Sequence, residues 1–598
     1  MTITVASGKG GTGKTTFSVN LAYALSKNNF KINLLDCDVE EPNDFLFVNA
    51  KDYSIEPVIT QKPEWYEEEC ENCGRCAEVC TYNAIARVAG KTLIFNELCH
   101  SCGACVYACP SNALIDIDVK IGEVKKTKVN ENLNFAYGIL NVGEALAPSI
   151  VKNVKKKIDK NIINIIDAAP GTACPVVEAL NESDVAVLVT EPTPFGVHDL
   201  KLAASLTQKL GIPTGIVINK SDSEDKIVSE FAASAEIPII GRIPFKREFA
   251  ETYSHGNLLI ENHNELTEIF VDIFNNIKKL IGKKPSDKKI EVFSSLKKNI
   301  DSYNPKNKNT SPFKEIVVIS GKGGTGKTSV LSSLALLSQN CVFADNDVDA
   351  ADLHLILNPV IIEEHDFSGG NVASIDSTKC VDCGICMEVC RFDAVKKSNK
   401  YFINELNCEG CGLCSLACPT KAITEKKVIN GKLFISKTKI APMAHAMLGV
   451  AEENTGKLVT KVRETAANIA SSADYDKILA DGPPGTGCPV IASLSGVDLT
   501  LIVTEPTVSG VHDLERVLKL AKHFKVEAKV IINKADLNSE QARNIHNLAR
   551  DYNTEVIAEI PFDESVVNAL KLGKSVIEYN EDAPASIIIK NIYNKIKE

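Results

Sequence analysis

The sequence contains no apolar run approaching the ~18 residues that cross a bilayer, so no stable membrane insertion is expected. It has no basic excess either: 66 Lys and Arg stand against 77 Asp and Glu, for a net charge of −11 and a pI near 5.6. Nucleic acid is bound through basic faces. Here basic residues gather only in 282–314, so no nucleic-acid partner is expected. The opening residues enter a strand pattern at once, leaving no room for a signal peptide, and a cytoplasmic location is expected. Most of the 20 cysteines fall in short runs, the spacing of metal-binding thiols in a reducing compartment and not of a secreted disulfide framework. The remainder, 598 residues at 44% hydrophobic and 24% charged, has globular composition and suggests about four units of ~150 residues.

What is present, twice, is a phosphate-binding loop. SGKGGTGKTT (7–16) follows the apolar run 3–6 and precedes a helical pattern at 17–28; SGKGGTGKTS (320–329) follows 316–319. Gly8, Gly10, Gly11 and Gly13, with Gly321, Gly323, Gly324 and Gly326 in the copy, let successive N–H groups converge on phosphate oxygens at a helix N-terminus. Lys14 and Lys327 would reach the β- and γ-phosphates and Thr15 and Thr328 would ligate Mg²⁺, with Thr12, Thr16, Thr325 and Ser329 completing the cradle. A second lysine, Lys9 or Lys322, follows the first glycine of each loop. The pattern GKGGTGKT resembles the deviant Walker A loop of the MinD/ParA and nitrogenase iron-protein superfamily. That resemblance implies ATP as the nucleotide and a lysine that crosses an interface to the partner's nucleotide.

The second strand of each half, 31–35 in the first, runs into DCDVEEPN or ADNDVDAAD. Asp36, Asp38, Asp345 and Asp347 thereby sit at strand carboxyl ends, where doubly wound sheets place ligands. By the same resemblance this is switch I: Asp38 and Asp347 orient the attacking water, and Asp36 and Asp345 assist at the magnesium shell. Strands at 162–166 and 477–480 end in DAAPGT and DGPPGT, which read as Walker B and switch II. Asp167 and Asp481 would hold the magnesium shell through water, and Gly171 and Gly485 would sense the γ-phosphate. INKSD (218–222) and INKAD (532–536) place Asn219 and Asn533 to hydrogen-bond the base. The full motif also resembles the guanine reader of GTPases, through Asp222 and Asp536. His198 and His512, in VHDL, read as structural residues at a helix start, and Cys37 and Cys341 as packing residues.

Between switch I and switch II each half carries two Cys-x2-Cys-x2-Cys-x3-Cys runs. Zinc ribbons pair two Cys-x2-Cys units instead. The runs resemble two-cluster bacterial ferredoxins, in which the fourth cysteine of one run ligates the other cluster. The resemblance implies four [4Fe–4S] clusters, on Cys70, Cys73, Cys76 and Cys109; on Cys99, Cys102, Cys105 and Cys80; on Cys380, Cys383, Cys386 and Cys418; and on Cys408, Cys411, Cys414 and Cys390. Pro110 and Pro419 match the family's closing proline, whereas Thr81 and Arg391 replace it with a small local change expected. Cys174 and Cys488, seven residues after the Walker B aspartates, match an interface cluster ligand of the nitrogenase iron protein, but no second cysteine per half accompanies them. They are expected to be buried structural residues or weak redox contacts.

The fold class is therefore α/β: two doubly wound, mostly parallel P-loop NTPase domains, 1–63 plus 119–281 and 315–376 plus 426–598, each with an inserted two-cluster bacterial-ferredoxin (α+β) domain, 64–118 and 377–425. The segment 282–314 reads as a linker able to span roughly 30 Å. The resemblance implies an intramolecular pseudo-dimer of the two halves that couples ATP hydrolysis to electron transfer toward a redox or metal-cofactor acceptor protein. Cluster assembly or transfer, and a MinD-like positioning ATPase, are the alternatives. Anaerobic purification is expected to yield about 16 iron and 16 acid-labile sulfide per chain, and zinc in place of iron would end this reading.

Overall fold

A computed structural model describes residues 1–88, 90–222, 225–291, 313–452 and 455–597. Most of the linker expected at 282–314 lies outside the described residues. Each half is built on a nine-stranded sheet. In the first, parallel strands run in the order Ile239–Pro244, Thr214–Ser221, Val185–Thr190, Thr2–Ala6, Ile163–Ala168, Ile32–Cys37 and Leu133–Leu140. Two antiparallel strands, Leu114–Asn130 and Ser54–Trp65, extend that edge. The second half repeats the order from Glu555–Ile560 through Lys314–Ser320 to Gly431–Lys437 and Val360–Phe367.

The central strands are short, apolar and wholly buried, as strands of a parallel sheet covered on both faces must be. On one face of the first sheet, Lys14–Lys27 packs against Glu265–Lys278, with the Phe17 and Phe270 rings 5.6 Å apart. The other face is covered by Ala147–Lys155, Cys174–Leu180, Pro194–Lys209 and Lys226–Ala235, whose apolar sides join one cluster around Ile150, Val154 and Leu200. The helix expected at 17–28 starts earlier because Gly13, at φ 92°, turns the P-loop straight into its first turn.

The ribbon of Ser54–Trp65 and Leu114–Asn130 carries the first cysteine segment at its tip, where Trp65 pairs with Leu114. In the second half that ribbon is broken: Val360–Phe367 pairs with Gly431–Lys437, and Gly370–Ile375 pairs separately with Ile423–Val428. Each cysteine segment holds two short helices, Arg75–Glu78 and Ala104–Ala108 in the first and Ile385–Val389 and Leu413–Ala417 in the second, every one entered through a left-handed glycine.

The two halves meet P-loop to P-loop. A Cβ built on Gly10 would lie 2.6 Å from the Gly323 Cα, and one on Gly11 would lie 2.2 Å from the Gly324 Cα, so the two backbones touch. Around this contact Arg247 pairs with Asp536 at 2.8 Å and Lys571 with Asp222 at 2.5 Å. The Arg247 and Asp536 side chains are 47% and 40% exposed, so water and salt screen the pair. Overpacking a close backbone contact typically costs about 1–3 kcal/mol, so the glycines outweigh the ion pair in holding the register. Gly323→Ala is expected to force the halves apart, read as a larger radius of gyration in small-angle scattering. A scattering profile identical to wild type would contradict the backbone contact.

Candidate functional site

The P-loop helices begin at Lys14 and Lys327 with no side-chain cap, which leaves their first N–H groups directed at the loop. Thr15 Oγ1 donates to Asp167 Oδ2 at 2.8 Å, and Thr328 Oγ1 to Asp481 Oδ2 at 3.0 Å. The two residues expected at the magnesium shell are therefore adjacent in each half. Ser18, which the motif reading omits, donates to the other Asp167 oxygen at 3.1 Å.

Asp36 accepts the N–H groups of Asp38, Asn43 and Asp44 at 3.0 Å each, and Asp345 accepts those of Asp347 and Leu353 at 3.2 Å. The first duty of these two aspartates is thus to shape the switch I loop. Asp36, Asp167 and Asp44 also bring oxygens within 4.8 Å of one another, a set able to hold a hard cation. Burial, then the neighbouring carboxylates, pushes Asp36 and Asp44 well above the ordinary aspartate range. Leu353 replaces Asp44 in the second half, so the two sites differ. They differ again at the lysine: Lys327 Nζ reaches Asp481 at 2.9 Å, Asp347 at 3.1 Å and the Gly482 carbonyl. Burial raises the Asp38 carboxyl to about 7 against the opposing charges of Lys14 and Lys322.

Lys9 and Lys322 both face the opposite half. Lys9 Nζ pairs with Asp352 Oδ2. Burial alone would lower the Lys9 pKa, but Asp352, Asp199 and Asp347 outweigh it and hold the ammonium above its ordinary range. Lys322 is raised likewise, with burial overcome by Tyr253, Asp513, Asp38 and Glu41. Asp347 belongs to the second switch I and Asp38 to the first, so each lysine lies near the switch of the half to which it does not belong.

Asn219 and Asn533, expected to reach the base, each donate from Nδ2 to a P-loop carbonyl, Thr12 or Thr325, at 2.8 Å, which ties the strands Thr214–Ser221 and Glu527–Asn533 to the P-loops. Asp222 and Asp536 are engaged in the two ion pairs between halves, and Asp536 also accepts the Phe562 N–H at 2.6 Å. The Asn-Lys-x-Asp carboxylates therefore serve the junction. His198 and His512 lie in the helices Pro194–Lys209 and Val508–His523, each capped by a threonine. Burial lowers His198 and His354 to about 4, leaving both rings neutral.

None of the 20 cysteines is in a disulfide. Cys80, Cys99, Cys102 and Cys105 line one cavity of about 20 Å³, and Cys380, Cys383, Cys386 and Cys418 line another of about 20 Å³. Both are among the crossed sets that the ferredoxin resemblance implies. Cys76 neighbours Cys70 and Cys73, with Cys109 in the same apolar cluster, and Cys414 neighbours Cys408, Cys390 and Cys411. The donor sets fit iron–sulfur groups: thiols alone, converging, beside left-handed glycines that bring the backbone close. The segments also touch each other. Cys102 and Cys411 lie beside each other across the halves, and Tyr82, stacked on His100 of its own segment at 3.9 Å, donates to the Glu409 carbonyl at 2.9 Å. Arg391, expected to cause only a small local change, instead reaches the Ser101 carbonyl at 3.0 Å and Asp116 at 2.5 Å. Its one advance signal is the charged residue at a position where a closing proline belongs.

A cavity of about 1010 Å³ between the halves is lined by Lys14, Lys322, Asp38 and Asp347 and also by Glu97, Cys408 and Glu409 of the cysteine segments. Cys174 and Cys488 line it too, each opening a helix at the cavity wall; of the two roles expected of them, half-burial departs from the buried structural residue and accords with a contact exposed to the cavity.

Among the described residues no helix is long and apolar enough to cross a membrane. The family model described as the CobQ/CobB/MinD/ParA nucleotide binding domain matches residues 3–260 and again 316–576. The uncharacterized protein MJ0578 of Methanocaldococcus jannaschii is 33% identical over 287 residues, 48% of this chain and 96% of the relative. An iron-sulfur cluster carrier protein of Aquifex aeolicus is 24% identical, over 47% of this chain and 68% of its own length. Among solved structures, the cell division ATPase MinD of Pyrococcus furiosus aligns at a TM-score of 0.30 and 19% identity, over 47% of this chain and 99% of its own. With both P-loops, both switch aspartate pairs and both family matches in register, the chain belongs to the CobQ/CobB/MinD/ParA family of P-loop nucleotide-binding ATPases, with that domain present twice.

Proposed function

We propose that this chain is an ATP-hydrolysing iron–sulfur protein whose two halves work as a covalent pseudo-dimer, coupling nucleotide state to electron transfer toward an acceptor protein through four [4Fe–4S] clusters. The observation that carries the reading is the single cavity running from both P-loops to the cysteine segments, together with the contact of Cys102 and Cys411 across the halves. Each cluster, when bound, supplies low-potential one-electron chemistry. The chain's own residues do the rest: the P-loop amides bind phosphate, and Asp38 and Asp347 orient water. Lys9 and Lys322 each neutralise charge on the nucleotide held by the other half. The junction favours ATP over GTP, since Asp222 and Asp536 are already taken up by Lys571 and Arg247.

A second reading, assembly or transfer of a metal cluster, is favoured by Cys174 and Cys488 on the cavity wall and by the carrier protein among the relatives. The sixteen thiols in four convergent sets favour the first, because a carrier needs a labile exposed site and not four closed ones.

The pseudo-dimer is tested with Lys14→Ala, which silences the first site. In that background, adding Lys9→Ala is expected to depress the remaining ATP turnover by at least ~10-fold, and Lys322→Ala much less, given that an in-trans cation at a transferring phosphoryl group is worth about 10³–10⁵ in rate. Equal turnover with and without Lys9 would overturn the assignment.

A further inference from the structure

The junction beside Lys9 holds more polar groups than it satisfies. His198 and Asp199 come from the first half, in the helix Pro194–Lys209, and Asp352 and His354 from the second, at the start of Leu353–Leu357. A His198 ring nitrogen and oxygens of Asp199 and Asp352 lie within 4.8 Å of one another. His354 stands edge-on to His198, with ring centroids 5.3 Å apart. His198 Nε2, Asp199 Oδ1, Asp352 Oδ1 and His354 Nδ1 are all buried without a hydrogen-bond partner. Asp199 and Asp352 are only 3% and 1% exposed, so two carboxylates face each other away from water. Lys9 answers one oxygen, Asp352 Oδ2, and leaves the rest.

The related junction across the pseudo-two-fold shows what a satisfied version looks like. Asn43 and Phe45 stand seven and nine residues after Asp36, as Asp352 and His354 stand after Asp345. The frame is the same, because Phe45 meets His512 edge-on at 5.6 Å. The chemistry is not: Asn43 Nδ2 donates to Asp513 at 3.4 Å, where the first junction sets a second carboxylate. Tyr137 occupies the strand position that His445 holds behind His354, each paired with its switch I aspartate. Donors have replaced neutral partners on one side only.

We propose that the junction formed by His198, Asp199, Asp352 and His354 binds a divalent first-row transition metal ion of the zinc class, bridging the two halves. Two imidazoles and two carboxylates form an N₂O₂ set suited to such an ion, while magnesium and calcium prefer oxygen alone. Ligand atoms around a tetrahedral zinc sit about 3.4 Å apart; those of His198, Asp199 and Asp352 already lie within 4.8 Å of one another, so modest side-chain rotations bring these three onto one ion, with His354 alongside as the fourth. A dication also neutralises the two carboxylates more completely than the Lys9 ammonium, so metal and Lys9 compete for Asp352. The site shares no residue with the magnesium positions expected at Asp167 and Asp481, and it does not rest on the electron-transfer reading.

Anaerobic equilibrium dialysis of the full cluster-loaded chain against ⁶⁵Zn²⁺, with cluster iron monitored, tests it. Wild type is expected to bind one equivalent of zinc that His198→Ala and Asp352→Asn weaken at least tenfold, the latter by reproducing the Asn43 arrangement. His512→Ala, at the mirror junction, is expected to leave it in place. Lys9→Met is expected to tighten zinc binding by removing the competing cation, and this gain is readable even if the loss variants fold poorly. Equal zinc uptake in wild type, His198→Ala and Asp352→Asn, a matching loss in His512→Ala, or no gain in Lys9→Met would each overturn the proposal.

Discussion

Everything else in this molecule depends on two loops of glycine backbone lying against each other. At Gly10 and Gly11 in one half, and Gly323 and Gly324 in the other, there is no space for a side chain. The two phosphate-binding loops therefore cannot be placed independently: whatever moves one P-loop moves its counterpart. The same glycines that let N–H groups converge on phosphate also permit this approach, so one residue choice serves binding within a half and contact between halves.

From that contact the remaining geometry follows. Bringing the loops together carries Lys9 to the second switch I and Lys322 to the first, and it sets the strand ends of both sheets around one cavity. The cysteine segments stand on ribbons that extend the sheet edges, so pairing the sheets also pairs the segments at Cys102, Cys411 and Arg391. A change at the nucleotide thus has a short structural route to the thiols: along switch I, across the cavity wall, to the segment that switch I leads into. The halves are similar without being equal. Asp44 against Leu353, Asn43 against Asp352 and Phe45 against His354 give each nucleotide site and each junction its own charge.

The sequence reveals these features unevenly, for a physical reason. P-loops and cysteine runs are chemistry that needs several groups within a few residues, so spacing alone discloses them, and the sheet strands are disclosed by their apolar runs. Element ends are less legible: the helix begins at Lys14 because Gly13 adopts a left-handed turn, which no periodicity reports. Long-range partners leave almost no local trace. Asp222 and Asp536 sit in a motif that elsewhere reads guanine, and only the pairing of the halves shows them bound to Lys571 and Arg247. Arg391 meets Asp116, 275 residues away, and the polar junction at Asp352 becomes visible only once Asp199 is seen opposite.

Through the shared cavity, nucleotide bound at the P-loops is expected to be felt at the thiol sets. An anaerobic potentiometric titration of the purified chain, followed by electron paramagnetic resonance with and without Mg·ATP, tests it most directly. Nucleotide is expected to shift the midpoint potential at least of the centres on the Cys99 and Cys408 sets, whose members Cys102 and Cys411 adjoin across the halves; for a one-electron couple about 59 mV corresponds to a tenfold change in equilibrium. Titration curves that superimpose with and without nucleotide, in protein shown to bind it, would contradict the account.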